Sequence, residues 1–526
     1  MSDFRVTDWF EYTAKARPTL PFLVMGGRTL TYAQADAWAN RCAHALLAQG
    51  MQVGDRIAWL AENTIETGVM LMAAAKVGVA PFMLNYRLAP REWLDILRDA
   101  EPRMVFAANG RYVESVHQLA LHRELPGVVQ VALGADNRQA PAGWLQLDAL
   151  LEGHPQTKPP VSVSPDDMLY LIYTSGTTGL PKGVMISHSN ALAHIEQAMS
   201  ASPASKAPGE RALVTTPLYH AAGVNRIINA AVKGGTVVLM AHFDAQEFID
   251  TLERERINSC NMVPAIMQSL VDMPGIEARH FDALKVIYYG AAPIGVPLLR
   301  RALEVFRCNL VQGYGLTEST GGFVYLNEVD HARALAGEDH LLRSTGRPVL
   351  ADVRVVDEQG RDLGPDEPGE LLVRGPNVMK GYWRNPEATR QTVRDGWLHS
   401  GDVARIDAEG YVYLCDRLKD MVVSGGTNIY PREVESALQE HPSIVDVAVI
   451  GVPDPKWGEA LLAVCVCRGD APTEDDLVAF CRDRLGGYKI PRRYEFVEQL
   501  PRNPSGKVLK RVLREPYWQG QGRGIS

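Results

Sequence analysis

The stretch Thr174-Ser175-Gly176-Thr177-Thr178-Gly179-Leu180-Pro181-Lys182-Gly183 combines hydroxyls, glycines and a lysine in an order suited to holding phosphate. Its glycines let the backbone bend and approach a ligand closely. Consecutive N–H groups and hydroxyls cradle phosphate oxygens, and Lys182 adds a point charge. A flexible Ser/Thr/Gly surface loop is the plain alternative. The P-loop spacing G-x-x-x-x-G-K-[ST] is missing, because Gly183 follows Lys182. Farther along, Val311-Gln312-Gly313-Tyr314-Gly315-Leu316-Thr317-Glu318-Ser319 sets an aromatic plane between two glycines and then a hydroxyl and a carboxylate. Such a set can stack a nucleobase and hold magnesium through oxygen ligands. In Gly396–Asp402 a carboxylate follows a glycine, where it can chelate two ribose hydroxyls or simply close a turn. His220 precedes small residues that leave room for a ligand. Gly290-Ala291-Ala292 follows a strand, the place where open α/β sheets bind ligands, although turn formation alone explains it equally well. Pro501–Lys507 puts one lysine on a Gly-turned loop, from which it can be delivered to an anion.

These residues are scattered over 526 positions, too many for one core, and the length suggests three or four domain-sized units. Hydrophobic content of 46% and charged content of 22% are those of a globular chain. A net charge of −8 argues against a nucleic-acid binder working through a global basic field. The seven cysteines form no C-x-x-C pair, so neither a zinc site nor a disulfide framework is indicated, and reduced thiols in a cytoplasmic protein are expected. Met1–Arg5 lacks the basic-then-apolar pattern of a signal peptide. Gly68–Leu84 is the most membrane-like segment. Lys76 and Pro81 interrupt it, and a buried helix is expected there.

The elements that must position the chemistry alternate between helical and strand-like patterns up to about residue 160, as in an α/β layer structure. Tyr32–Gln49 reads as a helix stopped by Gly50, and Met168–Tyr173 as a buried strand leading into the phosphate loop. Ser187 or Ser189 is placed to cap a helix through Ala191–Met199. Leu284–Tyr289 reads as a strand. From about residue 340 the pattern turns to β, at Val353–Val356, Gly369–Arg374 and Gly410–Leu414. Asp416-Arg417-Leu418-Lys419-Asp420 is a charge-dense break between apolar runs and the best domain boundary in the chain. Beyond it lie a turn at Ser424–Pro431, a helix through Leu438, strands at Val445–Val452 and Leu461–Cys467, and a helix near Glu474–Arg484. The tail Tyr488–Arg514 carries eight basic residues against two acidic ones.

In this order the segments TSGTTGLPKG, QGYGLTE, SGD, DRLKD, SGGTNIYP and NPSGK resemble the adenylate-forming superfamily of acyl-CoA synthetases, carrier-protein adenylation domains and luciferases, over nearly the whole chain. The resemblance implies a large α/β N-terminal domain (1–415, with rough subdomains 1–160, 161–340 and 341–415), a hinge at 416–420 and a small mobile α/β domain at 421–526. It implies ATP, Mg2+ and coenzyme A as companions of a carboxylic acid substrate. The expected partners are small molecules, with no nucleic acid, no transmembrane segment and a homodimer as an open possibility. By motif position, Lys507 corresponds to the lysine bridging the acyl carboxylate and α-phosphate, and Thr174 and Glu318 to the magnesium ligands. His220 corresponds to the residue beside the bound carboxylate. Ser175, Gly176, Thr177, Thr178, Gly179, Lys182, Gly290, Ala291, Ala292, Gln312, Gly313, Tyr314, Gly315, Thr317, Asp402 and Arg417 correspond to nucleotide contacts. Lys419 matches the hinge, and Gly425 and Gly426 line the expected pantetheine tunnel. Trp457, Tyr488, Arg492 and Arg87 fall where related ligases bind the CoA nucleotide.

The fatty acid–CoA ligases look nearest within the superfamily, through VPAIM, DRLKDMVVSGG and NPSGKVLKRVLRE. An aryl or cinnamate-type CoA ligase, a carrier-protein-loading ligase and a luciferase-type oxidoreductase are the other readings. The residues near His220–Arg226 and Tyr288–Gly290 would decide the acid. A catalytically inert nucleotide binder is the reading from another class, and Lys507, Glu318 and Asp402 argue against it.

Overall fold

The computed structural model describes residues 4–108, 110–134, 140–174, 181–202, 209–292, 294–417, 420–424, 427–502 and 508–519. It is a mixed α/β chain with a large N-terminal domain and a smaller C-terminal one. Among the described residues, two large sheets dominate the first domain. One runs in the order Arg347–Pro348, Gly321–Leu326, Asn309–Leu316, Val286–Gly290, Ser259–Met262, Arg211–Val214, Thr236–Leu239, Pro21–Met25, Arg28–Thr31. The other runs Gly381–Tyr382, Lys182–Ser187, Met168–Thr174, Ala80–Met83, Arg56–Leu60, Met104–Ala108, Val129–Leu133, Leu145–Gln146. Both sheets therefore draw strands from either side of residue 160, and 381–382 returns to pair with Val184 and Met185. A five-stranded sheet built on Trp397–Ile406 completes this part, and a second five-stranded sheet built on Gly458–Cys467 forms the C-terminal domain with its own apolar core.

Helices Val6–Ala16, Tyr32–Ala48, Ile65–Lys76 and Ala221–Lys233 share one core with residues of both large sheets. Their position explains the membrane-like stretch. Ile65–Lys76 is buried on every face, with Gly68 tucked against Leu23 and Ile227, so its apolar residues show no amphipathic stripe. The expected helix over Gly68–Leu84 is in fact shorter. It stops at Lys76, Gly78 turns the chain at φ +69°, and Ala80–Met83 is a buried parallel strand that accommodates Pro81. Among the described residues no helix is long and apolar enough to cross a membrane. The 188–201 helix begins as expected, with the Ser187 side chain accepting from the Asn190 amide.

Lys76 ends its helix in the core, 1% exposed, with Glu11 at 2.6 Å and Asp36 at 2.8 Å, and Lys158 reaches Glu11 from outside at 2.7 Å. Burial pushes the Glu11 carboxyl up, but hydrogen bonds and charge from Lys158 and Lys76 outweigh it and hold the group below the ordinary carboxylate range. A carboxylate depressed on folding stabilises above its unfolded pKa, and that contribution is lost as the pH falls through the folded value. Removing one partner of such a pair leaves charge buried without compensation, so Lys76→Met is expected to cost about 3 kcal/mol. Urea unfolding at pH 7 checks it, and an unchanged midpoint would contradict the assigned role.

Candidate active site

Three sheets meet where the chemistry-bearing residues lie. Thr174 ends one strand and pairs antiparallel with Lys182 at the start of the next, so the two ends of the glycine-rich stretch stand side by side. Ser175, Gly176, Thr177, Thr178 and Gly179 lie outside the described residues. The Lys182 ammonium sits 5.0 Å from the ring centroid of Tyr382. Tyr382 donates its hydroxyl to Glu318 Oε1 at 2.8 Å, and the Met379 amide donates to the Glu318 carbonyl at 2.8 Å. Burial, then the Glu318 charge, push the Tyr382 hydroxyl well above its usual value, so it remains a donor. The return of the chain through 381–382 thus joins the strand that opens at Lys182 to Glu318, the expected magnesium ligand. Tyr382 was not singled out from sequence, because an isolated GY pair carries no periodicity.

Gln312, Gly313, Tyr314 and Gly315 lie on the strand Asn309–Leu316, and Thr317–Ser319 forms a 3-10 turn that presents Thr317 and Glu318. Gly290 pairs with Gly313 across parallel strands, and a Cβ at Gly290 would run into the Gly313 carbonyl. Gly315 approaches the Gly321 carbonyl equally closely. Both glycines are required by backbone proximity. Ala291 follows in the left-handed region at φ 64°, a strained conformation for a residue with a Cβ and one that collects at ligand sites. Tyr314 donates its hydroxyl to Asp402 Oδ2 at 2.6 Å, with its ring edge-on to Phe323. Asp402 is buried within the strand Trp397–Ile406, so the turn alternative is excluded for it, and its backbone stands opposite Arg417.

His220 is the N-cap residue of the helix Ala221–Lys233. Burial, aided by the charge of Arg87, lowers its pKa to about 4, and its buried Nε2 has no hydrogen-bond partner among the described residues. An aromatic path leads from it to Arg87: Tyr219 at 4.5 Å, Tyr86 edge-on to Tyr219 at 5.3 Å, and the Arg87 guanidinium 5.7 Å from the Tyr86 ring. Six residues beyond His220, Arg226 lies 4.2 Å from the Tyr288 ring and bonds the Asn261 side chain.

In the C-terminal domain, Arg492 stacks 4.9 Å from the Trp457 ring, Tyr488 is exposed, and the neighbouring Lys489 pairs with Glu433 at 2.7 Å. Lys507, Lys419, Gly425 and Gly426 lie outside the described residues. The two domains meet at Arg432, a residue that a sequence pattern could not single out. Its amide donates to Asp416 Oδ2 at 2.8 Å. Its half-buried side chain lies among the charges of Asp416, Glu435 and Asp402, with burial drawing the guanidinium pKa down against them. Among the described residues no cluster of three His, Cys, Asp or Glu is arranged for a metal.

The family comparisons make this chain an AMP-forming ligase of the acyl-CoA ligase type. Residues 10–383 match the AMP-binding enzyme family and residues 433–507 its C-terminal domain, and the chain belongs to that family. It is 36% identical to the fatty acid–[acyl-carrier-protein] ligase ScoC of Streptomyces coeruleorubidus, over 98% of this chain and 97% of that one. It is 38% identical to the feruloyl-CoA synthase of an Amycolatopsis species, over 97% and 98%. Its fold is similar to ATP-bound MatB from Rhodopseudomonas palustris, with a TM-score of 0.88 and 29% identity over 98% of this chain and 99% of that one.

A His with a pKa near 4 is neutral throughout the physiological range. The C2–H resonance of His220 is expected to titrate with a midpoint near 4, and Arg87→Met should raise that midpoint. A midpoint at 6.5 in the wild type would contradict the burial described.

Proposed function

We propose that this enzyme is an ATP-dependent acyl-CoA synthetase. A carboxylate oxygen attacks the α-phosphorus of ATP, the bond to the β-phosphate oxygen breaks, and pyrophosphate leaves with an acyl-adenylate behind. The CoA sulfur then attacks the activated carbonyl and AMP departs. Two anions must approach in the first step, so positive charge has to be supplied where they meet. Lys507 is the group for that role and Lys182 the one for the leaving pyrophosphate. The observation that carries the reading is the Lys182–Tyr382–Glu318 contact, which ties the strand that opens at Lys182 to a carboxylate able to serve a metal–phosphate complex.

Thr174 and Glu318 supply hard oxygen donors, which suit Mg2+ held jointly with phosphate oxygens. Bound there, the ion would neutralise charge on the β- and γ-phosphates. Gly290, Ala291, Ala292 and Tyr314 would enclose the adenine, and Asp402 with Arg417 the ribose. A neutral His220 would orient the acyl carboxylate without carrying charge to it. After adenylation the domain beyond 416–420 would turn about Lys419, withdrawing Lys507 and bringing Gly425 and Gly426 to the pantetheine path. Trp457, Tyr488, Arg492 and Arg87 would hold the CoA nucleotide.

For the acid, the motif resemblance and the named fatty acid ligase favour a medium- or long-chain fatty acid. The named feruloyl-CoA synthase and the Arg226–Tyr288 pair favour an aryl acid. A cytoplasmic location is part of the same reading.

Pyrophosphate release across acids from acetate to palmitate, with benzoate and cinnamate, measured with and without CoA, tests the function. Activation followed by CoA-dependent AMP release is expected, and release of AMP only in the presence of an acyl carrier protein would contradict the CoA assignment. Lys507→Ala is expected to abolish adenylation by at least about 100-fold while sparing thioester formation from supplied acyl-adenylate. Loss of both half-reactions together would count against domain alternation. Gly426→Leu should block only the thioester step.

A further inference from the structure

Asn63 stands in the turn between the strand Arg56–Leu60 and the helix Ile65–Lys76, 1% exposed, at the carboxyl end of one large sheet. Its side chain crosses to the other sheet. Nδ2 donates to the Thr216 carbonyl at 3.2 Å and to the Met240 carbonyl at 3.0 Å, and Oδ1 accepts from the Leu218 amide at 3.0 Å. Thr216 and Met240 follow the parallel strands Arg211–Val214 and Thr236–Leu239, again at their carboxyl ends, where open α/β sheets bind ligands. All three partners are backbone groups, so the orientation of the Asn63 amide is fixed. Carbonyls only accept and an amide N–H only donates.

The segment that Asn63 grips leads directly into His220. Thr216–Tyr219 is neither strand nor helix, and the His220 amide closes it by donating to the Pro217 carbonyl at 3.0 Å. It lies so near the first turn of the helix Ala221–Lys233 that a Cβ at Gly223 would strike the Thr216 and Pro217 carbonyls. That helix has an anchor of its own. Asn225 accepts from the Tyr170 hydroxyl at 2.8 Å and donates to the Thr320 carbonyl at 2.6 Å, which ties the helix to the strand ending at Thr174 and to the turn after Glu318. Asn225 thus holds the helix, and Asn63 holds the loop that enters it.

Resting on the acyl-CoA synthetase reading, in which His220 meets the acid, we propose that Asn63 is a positioning residue for acid activation. Its amide fixes Thr216–Leu218 and through that loop sets the place of the His220 ring. A leucine at 63 takes from two carbonyls and one N–H the partner they have here, and a buried polar group is costly to leave unpaired. An aspartate keeps the acceptor for Leu218 but sets a carboxylate oxygen against carbonyl oxygens. Either change obliges the loop to move, and His220 at its end moves with it.

The test is a double-mutant cycle on the full chain, with pyrophosphate release measured for the acid that the wild type activates best. Asn63→Leu is expected to lower kcat/KM for the acid by about 30-fold, with the KM for ATP changed less than about 2-fold. In the His220→Ala background the same substitution should cost less than about 3-fold, because the group it acts through is gone. Equal losses in the two backgrounds, or a KM for ATP that rises in step with that for the acid, would overturn the proposal. Hydrogen exchange on the wild type needs no variant and no chemistry. The Leu218 amide, although in a loop, should exchange at least about 100-fold more slowly than an unstructured amide, and exchange at the unstructured rate would overturn the tie by itself. A wild type that adenylates no acid would overturn the synthetase reading, while the Leu218 amide would still decide whether Asn63 holds the loop.

Discussion

Two hydrogen bonds, Tyr382 to Glu318 and Tyr314 to Asp402, hold the three sheets of the large domain in the relation that the site needs. Tyr314 and Glu318 are four residues apart at the end of one sheet. Their partners belong to the other two, Tyr382 to the edge strand beside Lys182–Ser187 and Asp402 to the β-rich sheet. Bonds from a hydroxyl to an ionised acceptor are worth about 1.5–3 kcal/mol, so their effect on overall stability is modest. Their effect on geometry is larger, because each fixes a carboxylate that would otherwise rotate freely and each excludes water from one side of it. The glycines at 290 and 315 serve the same end by letting strands and turns approach more closely than a side chain would permit.

The link to the second domain is electrostatic. Asp402 and Asp416 belong to paired strands of the β-rich sheet, and Arg432 opens the first helix of the C-terminal domain between their charges. A half-buried guanidinium among three carboxylates is a poor source of net stability but a specific one, since any other placement of Arg432 would have to find those charges new partners. Within the C-terminal domain, Lys510 makes a part-buried pair with Glu435 at 2.8 Å and adds its charge near Asp416 and Asp420. The domain boundary is therefore also a place where charge selects arrangement.

Much of this was legible beforehand for definite reasons. The strand before the phosphate loop, the Ser187 cap and the stop at Gly50 follow from local chemistry, and local chemistry survives folding. The interleaving of strands between sheets did not follow, because pairing of residues 23 and 24 with 237 and 238 leaves no mark in either segment. The segment ending at Leu84 misled because burial on all sides erases the helical stripe and makes a helix and a buried strand read as one apolar run. Tyr382 and Arg432 were missed for another reason. Each acts through a partner distant in sequence, and only the ring, guanidinium or carboxylate found beside it reveals what it does.

If Glu318 serves the metal and Asp402 the ribose, as proposed, then Tyr382 acts on the metal-dependent part of nucleotide binding and Tyr314 on the metal-independent part. Calorimetric titration of the Tyr382→Phe protein with ATP plus Mg2+, and separately with AMP lacking metal, tests it directly. The account predicts roughly 10-fold weaker binding of Mg2+–ATP, because the group orienting Glu318 is gone, with AMP affinity unchanged. Equal losses for both nucleotides, or none for either, would contradict it.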